Sequence, residues 1–448
     1  MTDALITDAA ARAACYVGDL TGRRVAPGPD AVARLRELGG PLSAEGLDPA
    51  EVLRLLDEIG SPATVATAGS RYFGFVNGAT LPAARAAAIL MTAWDQNAAL
   101  RAMSPVAAHL DDVALDWLVD LLGLPVGTGG GFVSGATMAN ATCLAAGRDA
   151  VLTRTGWDAA SNGLVGAPPV EVVVGEEVHT TAVKALGIVG LGRGRARRLP
   201  VDGQGRIVPR GLPKLDGPAI VCLQAGNVNS GASDPFEPLI DWARDQGAWV
   251  HVDGAFGLWA NASPALRDQV ASVEGADSWA TDCHKWLNTT YDSGVALVRD
   301  PALLRAAMEA TAAYLTPGAA RDPMHYTPQS SQAARGVECW AALRSLGRSG
   351  VADLIERCSA LARRMADGIR ALGFEVRNDV VLNQVVVGFG DDARTATVIA
   401  RIQEEGTLWA GPTVWRGRAA MRISVSSWST TEADIDRSLE AIARAAAG

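Results

Sequence analysis

The sequence predicts an α/β fold: a mostly parallel sheet flanked by helices, followed by a smaller C-terminal α+β domain. Two observations carry that expectation. Between residues 129 and 298, short runs of apolar and β-branched residues alternate with helical patterns, and the runs are apolar throughout rather than at every second position. Strands that read apolar on both faces are buried on both, the condition of a parallel sheet sandwiched between helices. In the last part of the chain the texture changes to one long amphipathic helix, two apolar runs and a closing helix, the pattern of a compact second domain.

Taken in order, helices are expected at 31–38 and at 49–59, the latter with Asp48 as N-cap. Two more follow at 81–94 and 109–122, with Ser104-Pro105 between them. Strands are expected at 131–133, 170–174, 219–223, 248–252, 278–280 and 294–298, and helices at 137–153, 180–186 and 238–246. The C-terminal part supplies a helix at 351–372, strands at 380–389 and 420–426, and a helix at 431–446. The division this implies is an N-terminal helical segment (1–65), a large domain (66–305), a loop and connecting helix (306–345) and a small domain (346–448). Ligand sites in such a sheet gather at the carboxyl ends of the strands.

Composition removes several classes of function. The 448 residues are 48% hydrophobic and 20% charged with a net charge of −9, and the mean hydropathy is +0.12. The one dense basic stretch, 193–198, is broken by glycine and reads as a solvated turn, so nucleic-acid binding has no support. Six cysteines without a C-x-x-C pair or nearby histidines read as small buried hydrophobes in a reducing compartment, not as disulfides or a zinc site. No apolar run approaches the ~18 residues of a membrane span, and the N-terminus lacks a signal-peptide pattern. A soluble, cytoplasmic protein is expected.

Four features fall at the ends of successive strands. The first is Gly131-Phe132-Val133-Ser134-Gly135-Ala136-Thr137: a strand, a turn of small residues, then a helix. Such a turn admits an anion to backbone N–H groups at a helix N-terminus, and Thr137 can add a hydroxyl; it is equally a tight turn with no ligand. The second is His179, whose ring can stack on a flat cofactor, although a lone histidine at a strand end is commonly structural. The third is His251-Val252-Asp253. A carboxylate at the end of a buried strand needs a cation, a metal or a protonated heteroaromatic nitrogen. His251 and Asp253 point to one side of the strand, but no third ligand follows at a metal-binding spacing, so no metal is expected. The fourth is Asp282-Cys283-His284-Lys285-Trp286, in which a partly buried amine with few acidic neighbours reads as a nucleophile toward an aldehyde.

The run Asp282-Cys283-His284-Lys285-Trp286-Leu287, ending in Tyr291-Asp292-Ser293-Gly294, resembles the lysine signature of the group II pyridoxal-phosphate-dependent decarboxylases, the family of the aromatic-amino-acid, tyrosine, histidine and glutamate enzymes. Further landmarks stand in the same order: the turn from Ser134 to Asn140, His179, His251-Val252-Asp253, Leu382-Asn383-Gln384-Val385 and Met421-Arg422-Ile423-Ser424. Arg71-Tyr72-Phe73-Gly74-Phe75 and Ser104-Pro105 fit the N-terminal part.

The resemblance implies fold-type I, pyridoxal 5′-phosphate held covalently by Lys285, and a homodimer. It implies that Asp253 pairs with the pyridine nitrogen, that His179 and Ala255 flank the ring, and that Ala136, Thr137 and His284 contact the phosphate. Asn227, in Ala225-Gly226-Asn227-Val228, replaces a family threonine near the cofactor. Tyr326 is the candidate for the loop tyrosine that returns a proton to the α-carbon, within a segment (314–335) that matches the family poorly. Arg422 is the candidate for the substrate carboxylate.

The reaction implied is loss of the α-carboxylate of an L-amino acid as CO₂, leaving an amine. The nearest rival keeps the cofactor and changes the outcome: aldolase or lyase chemistry, aminotransfer, or decarboxylation coupled to oxidative deamination. A second rival is a silent member that binds only cofactor or a partner protein. Phe73, Phe75, Trp94 and Trp409 are candidates for an aromatic pocket, with core packing as the alternative.

Overall fold

The computed structural model describes residues 2–310 and 320–447; Tyr314, at the head of the poorly matching segment, lies outside the described residues. The chain forms two compact units, one of Thr80–Ala362 with Asn378–Gln384, the other of Met1–Ala79, Arg363–Arg377 and Val385–Gly448.

The larger unit is built on a seven-stranded sheet: β1 (Gly129–Val133), β2 (Glu171–Gly175), β3 (Arg197–Leu199), β4 (Ala219–Gln224), β5 (Trp249–Asp253), β6 (Ser278–Asp282) and β7 (Gly294–Val298). Their spatial order is β1-β7-β6-β5-β4-β2-β3. Only β7 runs against its neighbours, β1 and β6; the β6-β5-β4-β2-β3 run is parallel. Strands β5, β6 and β7 are buried along their whole length, as continuous apolar runs require, and burying each large aliphatic side chain contributes ~1.5–3 kcal/mol.

The helix Ala136–Thr153 crosses the centre of this sheet and carries the core with it: Leu144, Val151, Ile220 and Trp249 close into one cluster. Most of its buried residues are small, Ala139, Cys143, Ala146 and Gly147 among them. A Cβ on Gly147 would stand 2.8 Å from the Trp249 indole, so the helix lies close to the strands because it has little there to keep it away. Two indole N–H groups in the core reach backbone carbonyls, Trp259 donating to that of Asp282 at 3.0 Å and Trp279 to that of Val273 at 2.8 Å.

The smaller unit contains a four-stranded sheet of β8 (Glu375–Val376), β9 (Gln384–Gly388), β10 (Gly411–Trp415) and β11 (Arg418–Ser424), ordered β10-β11-β9-β8. The N-terminal segment does not stand apart, as the sequence division has it, but belongs to this unit. Arg71 explains why. Its buried guanidinium donates to the carbonyls of Thr21 and Thr407 and to Asp434, tying residues near both ends of the chain together, while Tyr72 stacks on Trp409 with ring centroids 5.2 Å apart.

Other departures have local causes. The basic stretch at 193–198 ends in the edge strand β3, whose Arg197 pairs with Glu171 while Leu199 turns inward; charge on an edge strand does not preclude pairing. The helix Arg335–Ala371 starts well before the expected 351 and breaks at Gly347, where φ is +63°. The capping by Asp48 is observed, its side chain accepting the Ala50 N–H at 2.9 Å.

Gly294 opens β7 where Gly135 precedes the Ala136 helix, and a Cβ at 294 would lie 2.5 Å from the Gly135 Cα. Backbone cannot yield as a flexible side chain can. Gly294→Ala is expected to destabilise the protein by about 1–3 kcal/mol, read as a lower urea midpoint with unchanged slope; an unchanged midpoint would refute this packing argument.

Candidate active site

The carboxyl ends of β4, β5 and β6 and the N-terminus of the Ala136 helix converge, and most of the residues singled out in the sequence meet there. A small cavity is lined by His179, Gln224, Gly226, Val228, Asp253, Ala255, Phe256 and Lys285. A larger open cleft, about 1350 Å³ and lined by Arg206, Asp234 and Asp268 among others, gathers none of His179, Asp253 or Lys285. The smaller cavity is the chemically equipped one.

Lys285 follows β6, and its Nζ lies 3.1 Å from Asp282 Oδ2. The expectation of an amine with few acidic neighbours is therefore corrected: a carboxylate holds it. The other oxygen of Asp282 accepts the Ala136 N–H at 2.6 Å, so this buried carboxylate caps the helix N-terminus where free N–H groups and the helix dipole favour negative charge. His284 Nε2 is 3.7 Å from the same oxygen. Its Nδ1 accepts the Ser293 N–H at 3.1 Å, which assigns the proton of the neutral ring to Nε2. Burial lowers the His284 pKa, with the neighbouring Asp282 acting against it.

Asp253 ends β5. Its Oδ1 accepts the Ala255 N–H at 3.3 Å and its Oδ2 accepts from Asn140 Nδ2 at 3.1 Å. His179, which shares the cavity wall, caps the helix Thr180–Ile188: Nδ1 accepts the Thr181 N–H at 3.3 Å and lies 2.6 Å from the Thr181 hydroxyl. Thr137 is the second residue of the Ala136 helix and half-buried.

Two expectations within the larger unit land elsewhere. Asn227 spends its side chain on its own turn. Its Oδ1 accepts the N–H groups of Asn229 and Ser230 at 2.9 and 3.2 Å, and its amide reaches Gln224 and the Glu177 carbonyl. Its neighbours Gly226 and Val228 line the cavity instead, because an asparagine that makes an Asx turn folds back on the backbone. Tyr326 closes a 3-10 turn, Pro323–Tyr326, and packs on the core cluster under the guanidinium of Arg321, 4.8 Å from its ring centroid. Arg321 is itself fastened to Asp111, Asp112 and the Gly130 carbonyl, so Tyr326 is held beside β1 and not at the cavity. Arg422, on β11 of the smaller unit, is buried enough for its pKa to be lowered, with Tyr72 opposing. In the same unit Phe73 is core, while Phe75 is exposed and stacks on Trp409 at 5.4 Å.

Gln224 and Phe256 were not expected at the site, and nothing in the sequence marks them; Asp282 and Asn140 stood within the motifs singled out, but without the roles that their contacts give them. The donor set fits pyridoxal phosphate: an amine and a carboxylate line one cavity, beside a histidine ring and a helix N-terminus. Among the described residues no group of three His, Cys, Asp or Glu side chains gathers as metal ligands.

A family profile described as the pyridoxal-dependent decarboxylase conserved domain matches residues 64–389. Tryptophan decarboxylase 1 of Oryza sativa subsp. japonica is 29% identical over 399 residues, 80% of this chain and 77% of that protein. Phenylacetaldehyde synthase of a Rosa hybrid cultivar is 29% identical over 273 residues, 56% of this chain and about half (52%) of that protein. Among solved structures, the Oryza sativa TDC crystallised with PLP and tryptamine superposes with a TM-score of 0.91 at 24% identity, covering 100% of this chain and 97% of that one; that likeness shows the shared fold.

His251, on β5 two residues before Asp253, is fully buried, and burial lowers its pKa from 6.5 to about 3. The unfolded chain takes up this proton near pH 6.5 and the folded chain only near 3, so acid favours unfolding across that window. Asp234 and Glu338, raised by burial to about 6 and about 7, act in the opposite sense. They are common to the wild type and to His251→Gln, so the comparison isolates His251. The urea midpoint is expected to fall more steeply in the wild type than in His251→Gln as the pH drops from about 6.5 toward 3; parallel profiles would refute the assignment.

Proposed function

The chain belongs to the pyridoxal-dependent decarboxylase family, and on that premise we propose that it removes the α-carboxylate of an aromatic L-amino acid, releasing CO₂ and the matching amine. The chain is a pyridoxal-phosphate-dependent carboxy-lyase. The observation that carries the reading is the single cavity lined by Lys285, Asp253 and His179. Bound there, pyridoxal phosphate supplies an electron sink for the bond broken at the α-carbon.

The chain's own residues do the rest. With the cofactor bound, Lys285 would hold its aldehyde carbon, Asp253 would pair with its ring nitrogen, and His179 and Ala255 would flank the ring. Ala136, Thr137 and His284 would hold the phosphate, and Asn227 shapes the turn that brings Gly226 and Val228 to the wall. His179, with Nδ1 engaged by Thr181, keeps its proton on Nε2 and is the proposed donor to the α-carbon; the packing of Tyr326 under Arg321 does not support that role for it. Arg422 is the proposed partner of a substrate carboxylate, supported by its burial beside Tyr72. An aromatic side chain is supported by the apolar wall of Val228 and Phe256 and by the tryptophan decarboxylase among the relatives. The phenylacetaldehyde synthase at equal identity favours one second reading, in which the product is an aldehyde.

A homodimer and a cytoplasmic location complete the proposal. The helix Pro82–Trp94 exposes Ile89, Leu90 and Trp94, with Met103 and Val106 exposed nearby in sequence; so apolar a surface suits a second copy of the chain. Five of the six cysteines are buried thiols outside any disulfide, which suits a reducing compartment. No helix of the described residues is long and apolar enough to cross a membrane.

Holoenzyme incubated with tryptophan, tyrosine, phenylalanine, histidine and glutamate, assayed for CO₂, amine, aldehyde and hydrogen peroxide, is expected to give CO₂ and amine in equal amounts from an aromatic substrate, and Lys285→Ala none. Aldehyde with peroxide would select the second reading, and no CO₂ from any substrate would overturn the first. Light scattering is expected to give twice the chain mass for the wild type and the single chain mass for Leu90→Asp; a monomeric wild type would sink the dimer.

A further inference from the structure

A line of hydrogen bonds behind Asp253 is not used by the reaction as described. Trp249 Nε1–H donates to Ser278 Oγ at 2.9 Å, and that oxygen lies 2.9 Å from His251 Nδ1. His251 Nε2 lies 2.8 Å from Asn140 Oδ1, and Asn140 Nδ2 donates to Asp253 Oδ2 at 3.1 Å. All five side chains are buried: Trp249 2%, Ser278 0%, His251 0%, Asn140 0% and Asp253 6% exposed.

The two ends set the direction of the whole line. An indole nitrogen only donates and a carboxylate only accepts. Ser278 therefore accepts from Trp249 and donates to Nδ1; His251 donates from Nε2; Asn140 presents its oxygen to His251 and its NH₂ to Asp253. Reversing the Asn140 amide would set its oxygen against the carboxylate and its NH₂ against the Nε2–H, two repulsions at once. Of the neutral tautomers of His251 only the Nε2–H form keeps every bond, and burial, which lowers its pKa, keeps the ring neutral. With the Ala255 N–H on its other oxygen, Asp253 is held at both ends of its carboxylate.

We propose that Ser278, His251 and Asn140 form a one-way relay that fixes Asp253 as an oriented acceptor for the cofactor's ring nitrogen, which makes His251 and Asn140 positioning residues of the reaction. The proposal rests on the cofactor reading above. A polar cluster that merely satisfied itself could end on any group; this one begins on a donor-only side chain in the core and ends on the carboxylate that lines the Lys285 cavity. Its members come from β5, β6 and the Ala136 helix, so the orientation of Asp253 depends on the register of all three.

The test uses apoprotein of wild type, Asn140→Asp, Ser278→Ala, His251→Leu and His251→Gln, with folding checked by circular dichroism and thermal midpoint. Pyridoxal phosphate is titrated in, read by quenching of intrinsic fluorescence and by the visible absorbance band of the bound cofactor. Asn140→Asp and His251→Leu are expected to bind roughly tenfold or more weakly, with the band displaced at constant pH. Ser278→Ala is expected to act in the same direction to a smaller extent, and keeps the question answerable if His251→Leu does not fold. His251→Gln, whose amide can accept from Ser278 and donate to Asn140, is expected to return band and affinity toward wild type. A wild type that binds while the folded variants match it in band and affinity overturns the relay alone. A wild type that takes up no cofactor overturns the cofactor reading, and the relay with it.

Discussion

The site depends on how closely the Ala136–Thr153 helix lies against the sheet. Most of its buried residues are small, and at Gly147 the contact with the Trp249 indole leaves no room for a side chain. That proximity sets two distances together. One turn in from its N-terminus it brings the Asn140 amide to hydrogen-bonding distance of both His251 and Asp253 on β5. At the N-terminus it brings the Ala136 N–H onto the Asp282 carboxylate at the end of β6. A bulkier helix face would move both contacts apart, and with them the two carboxylates between which the cavity is organised.

Those carboxylates are costly groups to bury. A charge taken from water without partners is unfavourable by several kcal/mol, and removing one member of a buried pair costs about 3–5 kcal/mol. Each is met in a different way. Asp282 has a cation, a helix N-terminus and a nearby imidazole, and so also fixes where the Lys285 amine sits. Asp253 has only neutral donors, Asn140 and the Ala255 N–H. A carboxylate held by neutral donors still attracts a positive partner, whereas one already paired with lysine is largely satisfied. The difference suits Asp253 to a protonated ring nitrogen and Asp282 to a structural and anchoring part.

Much of this was legible in the sequence. The order and kind of the large-domain strands followed from continuous apolar runs, and the group of His179, Asp253, His284 and Lys285 followed from their places at strand ends. What was missed had physical reasons. The short edge strand β3 is mostly charged, so it reads as a turn. Asn227 stands in a cofactor-binding position by alignment of motifs, but an asparagine bonds readily to its own backbone, and the turn claimed its side chain. Tyr326 was chosen from its place along the chain, and its fate was decided by Arg321, Asp111 and Asp112, which are remote from it in pattern and adjacent in space.

By itself, then, the sequence determined the fold class and the cofactor chemistry and singled out Lys285 as the proposed anchor, because periodicity and residue type are local properties. Lys285 carries that identity in the six residues from Asp282 to Leu287. Only the tertiary structure decided what surrounds that lysine. It put the Asp282 carboxylate on Nζ, set Asn140 and His251 behind Asp253, and turned Asn227 and Tyr326 away. Each of those outcomes is a contact between distant parts of the chain or a competition between a side chain's local and remote partners. Such contacts are settled by packing, when one helix lies on one sheet at one height, and no residue pattern records that height.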